Sequence, residues 1–153
     1  MLDRIVVLAL TASVFALPAC DEADDPVEVT DFANGISADT EGGAFRVSLQ
    51  SDSGELHVGS NQLEIRVGFH NPDDPFDPGK GIPGASVQVL AWMPHDEGAT
   101  DHIRAAYVGD GIYRFDNLEI DRSGVWQLDF DIDVGETLRE DVSFAFMIEE
   151  PRN

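Results

Sequence analysis

Trp126-Gln127-Leu128-Asp129-Phe130-Asp131-Ile132-Asp133-Val134 decides the fold. Apolar and polar residues alternate without a break, so one set of side chains can be buried while the other meets water. That period of two is the signature of a half-buried strand, since successive side chains point to opposite faces. Wound into a helix, the same residues would scatter the three aspartates around the barrel and leave no apolar stripe.

The pattern recurs on both sides of this stretch. Phe45, Val47 and Leu49 alternate, as do Leu63, Ile65, Val67 and Phe69. Val87, Val89, Ala91 and Met93 follow, then Ile112, Tyr113 and Phe115, and finally Val142, Phe144, Phe146 and Ile148. Turn-forming clusters separate the runs: Ser51 to Gly54, Asn71 to Gly84, Gly109-Asp110-Gly111, Asp121 to Gly124, and Gly135-Glu136. Gly109-Asp110-Gly111 supplies the positive φ that a tight hairpin requires. The expected fold is all-β, an immunoglobulin-like antiparallel β-sandwich of about seven strands in one domain.

The chain has 153 residues, with 9 Lys and Arg against 30 Asp and Glu, a net charge of −21 and a single cysteine. Such a charge repels phosphates and argues against unassisted nucleic-acid binding. It also works against a large self-interface, so a monomer is expected. One cysteine rules out an internal disulfide framework and a cysteine-based zinc cluster. No Gly-x-Ser-x-Gly elbow, His-Glu-x-x-His pair or phosphate-binding glycine loop is present, and an enzyme is not expected.

Residues 1–19 combine Arg4, an apolar run from Ile5 to Leu17 and small residues before Cys20, the plan of a secretory signal. The run is too short to span a bilayer, which needs about 20 apolar residues. Leu17-Pro18-Ala19-Cys20 resembles the lipobox of bacterial lipoproteins. That resemblance implies acylation of Cys20, anchoring to a membrane of the cell envelope, and a domain facing the periplasm or exterior. Six acids between Asp21 and Asp31 suggest a solvated tether. The expected boundaries are a lipidated acidic linker over 20–40 and the sandwich over 41–153.

Four segments then fall into a recognisable order: Gly81-Ile82-Pro83-Gly84-Ala85-Ser86-Val87, Met93-Pro94-His95, Gly111-Ile112-Tyr113, and Gly124-Val125-Trp126-Gln127-Leu128. This order resembles the YtkA-like/FixH-like domain, with its "Gly-x-Pro-x-x-Ala-x-Val", "Met-Pro", "Gly-x-Tyr" and "Gly-x-Trp-x-Leu" segments, over about residues 45–148. The resemblance implies an extracytoplasmic β-sandwich whose relatives are membrane-attached or secreted. Some of them stand near copper-handling or respiratory-oxidase functions, and some carry Met- and His-rich stretches after the Met-Pro. Here Met93 and His95 remain, with Asp96 and Glu97 beside them.

A thioether and imidazoles suit Cu(I), and imidazole with carboxylate suits Cu(II) or zinc. Met93, His95 and His102 are therefore the candidate metal ligands, and copper the candidate cofactor, if a hairpin brings the strand ends together. The competing reading makes Met93 a core cap and both histidines exposed loop residues. Tyr113 and Trp126 read as inward anchors whose polar atoms need partners. Two further features carry weaker functional readings. The Asp129, Asp131 and Asp133 stripe reads as a solvated strand face rather than a calcium site, because its side chains do not converge. The loop Asn71 to Lys80 reads as a rigid insertion, with its acids as candidate cation ligands and Phe76 as a candidate partner contact. The functions in view are a lipid-anchored, non-enzymatic binding module, a periplasmic copper-handling accessory protein, and a structural lipoprotein that binds a protein partner.

Overall fold

The computed structural model describes residues 27–74, 77, 79–94 and 101–150. Six long strands form where the alternation is strongest: β3 (Phe45–Ser51), β4 (Gly59–Phe69), β5 (Ser86–Trp92), β8 (Ile112–Ile120), β9 (Gly124–Val134) and β10 (Leu138–Ile148). Four short strands complete the fold: β1 (Val29–Thr30), β2 (Ser37–Asp39), β6 (Ile103–Arg104) and β7 (Ala106–Gly109). Among the described residues the count is thus ten rather than about seven, and the additional strands are edge pieces too short to show a period. No helix occurs among the described residues.

Two five-stranded sheets result. Sheet A runs β1-β10-β9-β5-β6 and sheet B runs β2-β3-β4-β8-β7. Every pairing between named strands is antiparallel except β1 with β10. Both sides of the sandwich are closed in the same way. The chain leaves β1 at the rim of sheet A and enters β2 at the rim of sheet B, and β6 and β7 repeat this on the far side. Val29–Thr30 and Ser37–Asp39, within the stretch 20–40 expected as a linker, thus pair into the two sheets. Their register comes from neighbouring strands and from the Asn34 side chain, whose amide donates to the Ser51 carbonyl at 3.0 Å and accepts from the Ser51 N–H at 2.8 Å.

The inward set is the one that the alternation picks out. Val47, Leu49, Ile65, Val67, Val89, Phe115, Leu128, Phe130, Ile132 and Phe146 are buried between the sheets. Phe130 meets Phe115 at 5.9 Å between centroids and Phe144 at 6.1 Å, joining the two layers. Burying a large aromatic here is worth several kcal/mol, since truncating such a residue typically costs about 3–5 kcal/mol. Phe69 departs from the pattern: it lies at the end of β4 and is exposed.

Strand β8 changes phase midway. Leu63 pairs with Phe115, yet Asn61 pairs with Leu118, so β8 carries one extra residue at Asp116-Asn117. Such a bulge shifts the inward set from Tyr113 and Phe115 to Leu118 and Ile120. Asn61 occupies an inward position on β4, and its amide donates to the carbonyls of His57 and Gly59 while its oxygen accepts from the His57 N–H. Glu140 also points inward, from β10, and is 8% exposed. Its Oε2 has no hydrogen-bond partner among the described residues. The carboxylate lies against Gly42, where a Cβ would meet Oε2 at 2.7 Å.

Candidate functional site

The residues that carry the ordered sequence motifs form two structural clamps. In the first, Gly81 and Gly111 touch backbone to backbone. A Cβ on Gly111 would lie 2.6 Å from the Gly81 Cα and 2.5 Å from the Val67 carbonyl oxygen, and Gly111 has φ of +78°. Two residues on, the buried Tyr113 hydroxyl donates to the Ile82 carbonyl at 2.6 Å and accepts from the Ala85 N–H at 2.9 Å. Burial pushes the phenol pKa up, so it stays protonated as the donor that this bond requires. The hydroxyl thereby fixes the Ile82-Pro83-Gly84 turn that feeds β5. In the second clamp, the Trp126 indole N–H donates to the Arg122 carbonyl at 3.0 Å and Met93 lies over Gly124. Both anchors expected from the sequence thus find their partners.

The candidate metal ligands are placed as follows. Met93 continues the inward face of β5, is half-buried and packs against the core. Its Cε comes so close to Gly124 that a Cβ there would sit 2.6 Å away. His102 is exposed and precedes β6, which pairs antiparallel with β5 through Val89 and Ile103. The expected hairpin return is therefore present, but Met93 turns to the core and His102 to solvent. His95 lies outside the described residues, as do Cys20 and the signal segment. Among the described residues, no three His, Cys, Asp or Glu side chains are grouped to hold a metal ion.

Among its described residues, the Asn71 loop bonds partly to itself and partly to β4, where Arg66 donates to the Gly79 carbonyl at 2.7 Å. Asn71 donates to Asp77 at 3.0 Å and accepts from the Asp73 N–H, and Asp77 accepts from the Gly79 N–H at 2.9 Å. The Asn71 bond, followed by that of Gly79, lowers the Asp77 pKa. Phe76 falls outside the described residues.

The outer face of sheet A is more elaborate than a solvated stripe. Asp129 accepts from the Trp92 indole at 2.5 Å, from Gln127 at 2.7 Å and from Ser143 at 2.7 Å. Three donors from three strands thus hold one carboxylate in place. Asp131 stands directly opposite Asp141 across β9 and β10. Burial, then a hydrogen bond and repulsion from Asp131, raise the Asp141 pKa, and Glu41 adds to the repulsion. Arg139 bridges Asp131 at 3.3 Å and Asp133 at 3.8 Å. Trp92, Asp129, Asp131, Asp141 and Ser143 line a cleft of about 660 Å³ on this face. The alternation of β9 places its aspartates, but Trp92 and Ser143 reach them from residues distant in the chain, and no local pattern announces that.

A second cleft, of about 720 Å³, opens at one end of the sandwich between the β3–β4 loop and the end of β10. Its walls include Phe32, Leu56, His57 and Met147. The sequence gives little sign of it, since these residues come from three separate segments.

No curated protein and no solved structure gives a match to this chain. A sequence model of the YtkA-like family matches residues 40–131, more than half of the chain, and takes in all four motif segments with both clamps; the chain belongs to the YtkA-like family.

Proposed function

We propose that this chain is a non-enzymatic, lipid-anchored binding module of the bacterial envelope, and that the outer face of sheet A receives a cationic protein partner. The observation that carries this reading is the Asp129 network. Folding needs no surface carboxylate held by Trp92, Gln127 and Ser143 at once, whereas a recognition surface gains from groups fixed before the partner arrives. The adjoining Asp131 and Asp141 sit opposite each other at a cost in repulsion that a bound cation would relieve. A half-buried tryptophan beside them supplies the aromatic contact that interfaces favour. The binding reading is preferred to copper handling because Met93 packs against the core and Gly124 while His102 lies in solvent.

The test is recovery of a partner from envelope membranes, using the anchored protein and an Asp131→Asn, Asp133→Asn variant that keeps the core intact. A partner retained by the native face and lost by the variant supports the proposal. Equal recovery with both, or none with either, overturns it. Mass spectrometry of the native N terminus tests the anchor, with an acylated Cys20 as the first residue expected.

A further inference from the structure

Asn34-Gly35 is the one Asn-Gly pair in the chain, and it sits at the crossing from sheet A to sheet B, between β1 and β2. The two residues form the tip of a reverse turn, closed by the Ile36 N–H donating to the Ala33 carbonyl at 3.0 Å. Gly35 has φ of +90°, which the third position of a type II turn requires and glycine takes without strain. Both residues are exposed, so water reaches them.

An asparagine followed by glycine carries its own reactive pair. The Gly35 nitrogen can attack the Asn34 Cγ, and no Cβ on the following residue hinders the approach. The attacking nitrogen gives up its proton, the bond from Cγ to the side-chain nitrogen breaks, and ammonia leaves behind a five-membered succinimide. Water then opens that ring at either carbonyl, giving aspartate or its β-linked isomer. Nothing is oxidised or reduced, and water is the only co-reactant.

The fold withholds both reacting groups. The Gly35 N–H donates to the Leu49 carbonyl at 2.8 Å, which aims its nitrogen at β3. The Asn34 amide donates to the Ser51 carbonyl at 3.0 Å and accepts from the Ser51 N–H at 2.8 Å, which fixes the carboxamide on the same strand. Attack requires these three bonds to part. Little else holds the segment: β1 has two residues, β2 has three, and Phe32 is half-buried against Phe146. A segment with so few buried contacts opens far more readily than the molecule unfolds.

We propose that Asn34 is a deamidation site guarded by its own hydrogen bonds, and that its conversion releases the segment from β1 to β2. A carboxylate at position 34 still accepts from the Ser51 N–H. It has no hydrogen to give to the Ser51 carbonyl, and sets a negative oxygen against it. The β-linked isomer also lengthens the turn that Ile36 closes. The reaction runs one way, so successive openings build a permanent population of loosened chains, each with one further negative charge on a chain already at −21.

The test is incubation of the full chain in mildly alkaline buffer, with mass spectrometry of the fragment that carries position 34. Deamidation there should be at least about tenfold slower than in a synthetic peptide of residues 30–39, because only opened molecules react. Phe32→Ala removes the ring set on Phe146 and should speed the reaction by about threefold or more. Asn34→Asp stands for the product. Its Ile36 and Leu49 amide hydrogens, bonded to Ala33 and Ile36 in the native turn, should exchange about tenfold faster, while those of β9 keep the native rate. The proposal is overturned by a native chain that deamidates as fast as the peptide, by equal rates in Phe32→Ala and the native chain, by native exchange of both amides in Asn34→Asp, or by an equal rise in β9.

Discussion

Met93 closes over Gly124, with its terminal methyl in the space that a side chain at that glycine would fill. The Met-Pro and Gly-x-Trp segments thus meet as two halves of one packing contact. Met93 is accordingly expected to tolerate exchange by shape rather than by chemistry. Met93→Leu should cost about 1 kcal/mol or less, and Met93→Ala about 2 kcal/mol, because a half-buried site loses less than a fully buried one. Urea unfolding checks both values. A Leu variant as damaged as the Ala variant would mean that the sulfur itself is needed.

The Tyr113 hydroxyl joins two strands of different sheets through the turn before β5. Tyr113→Phe leaves the Ile82 carbonyl and the Ala85 N–H without this partner and should cost about 1–3 kcal/mol. Gly111→Ala should cost at least as much, since the new methyl overlaps the backbones of Gly81 and Val67 at a φ unfavourable for alanine. Denaturation midpoints of the two variants, with unchanged slopes, are the measurement. A neutral outcome for Gly111→Ala would contradict the close approach.

Asp141 gives stability a pH dependence of known sign. Its pKa is raised in the folded state, first by burial and then by Asp131, so the native protein holds a proton that the unfolded chain releases. The stabilisation is complete below the ordinary carboxylate range and is lost as pH rises through the raised value. Asp141→Asn should therefore be more stable than the native chain near neutrality, by about 0.5 kcal/mol for an exposed, screened cross-strand pair. The gain should shrink as the medium is made acidic. Unfolding curves near pH 7 and about pH 4 check this, and the same difference at both would rule out the raised pKa.

Glu140 is the inward position where composition and burial conflict. Replacing it with methionine keeps the volume and removes an oxygen that lacks a partner among the described residues. Glu140→Met should raise stability by about 1 kcal/mol, because an uncompensated buried carboxylate costs more than the apolar group that replaces it. Thermal unfolding measures the gain. A fall in the midpoint would mean that the carboxylate has a favourable interaction with the loop over Gly42.

The six long strands are legible because each must bury one face, and burial writes itself locally as a period of two. Leu118 and Ile120 are not part of that reading, since the extra residue in β8 moves the inward set by one. β1 and β2 are hidden for another reason. Their two and three residues are held by register against β10 and β3, and acidic neighbours give Val29–Thr30 the composition of a tether. The candidate metal residues show a different limit. Spacing foretells the hairpin between β5 and β6 and puts Met93 in the inward set of β5, but not its packing on a glycine 31 positions away in the chain. The end cleft is least legible, since only the closed sandwich brings Phe32, His57 and Met147 to one opening.

The parallel pairing of β1 with β10 bears on how the molecule carries mechanical load. Force drawn through the N terminus meets first the two residues Val29–Thr30, next the Phe32 ring against Phe146, and then the Asn34 clamp on Ser51. On the N-terminal side the first two contacts involve only exposed or half-buried residues, set against the buried Ala145 and Phe146 of β10. The opening segment is thus expected to yield under tension before the sandwich itself is strained.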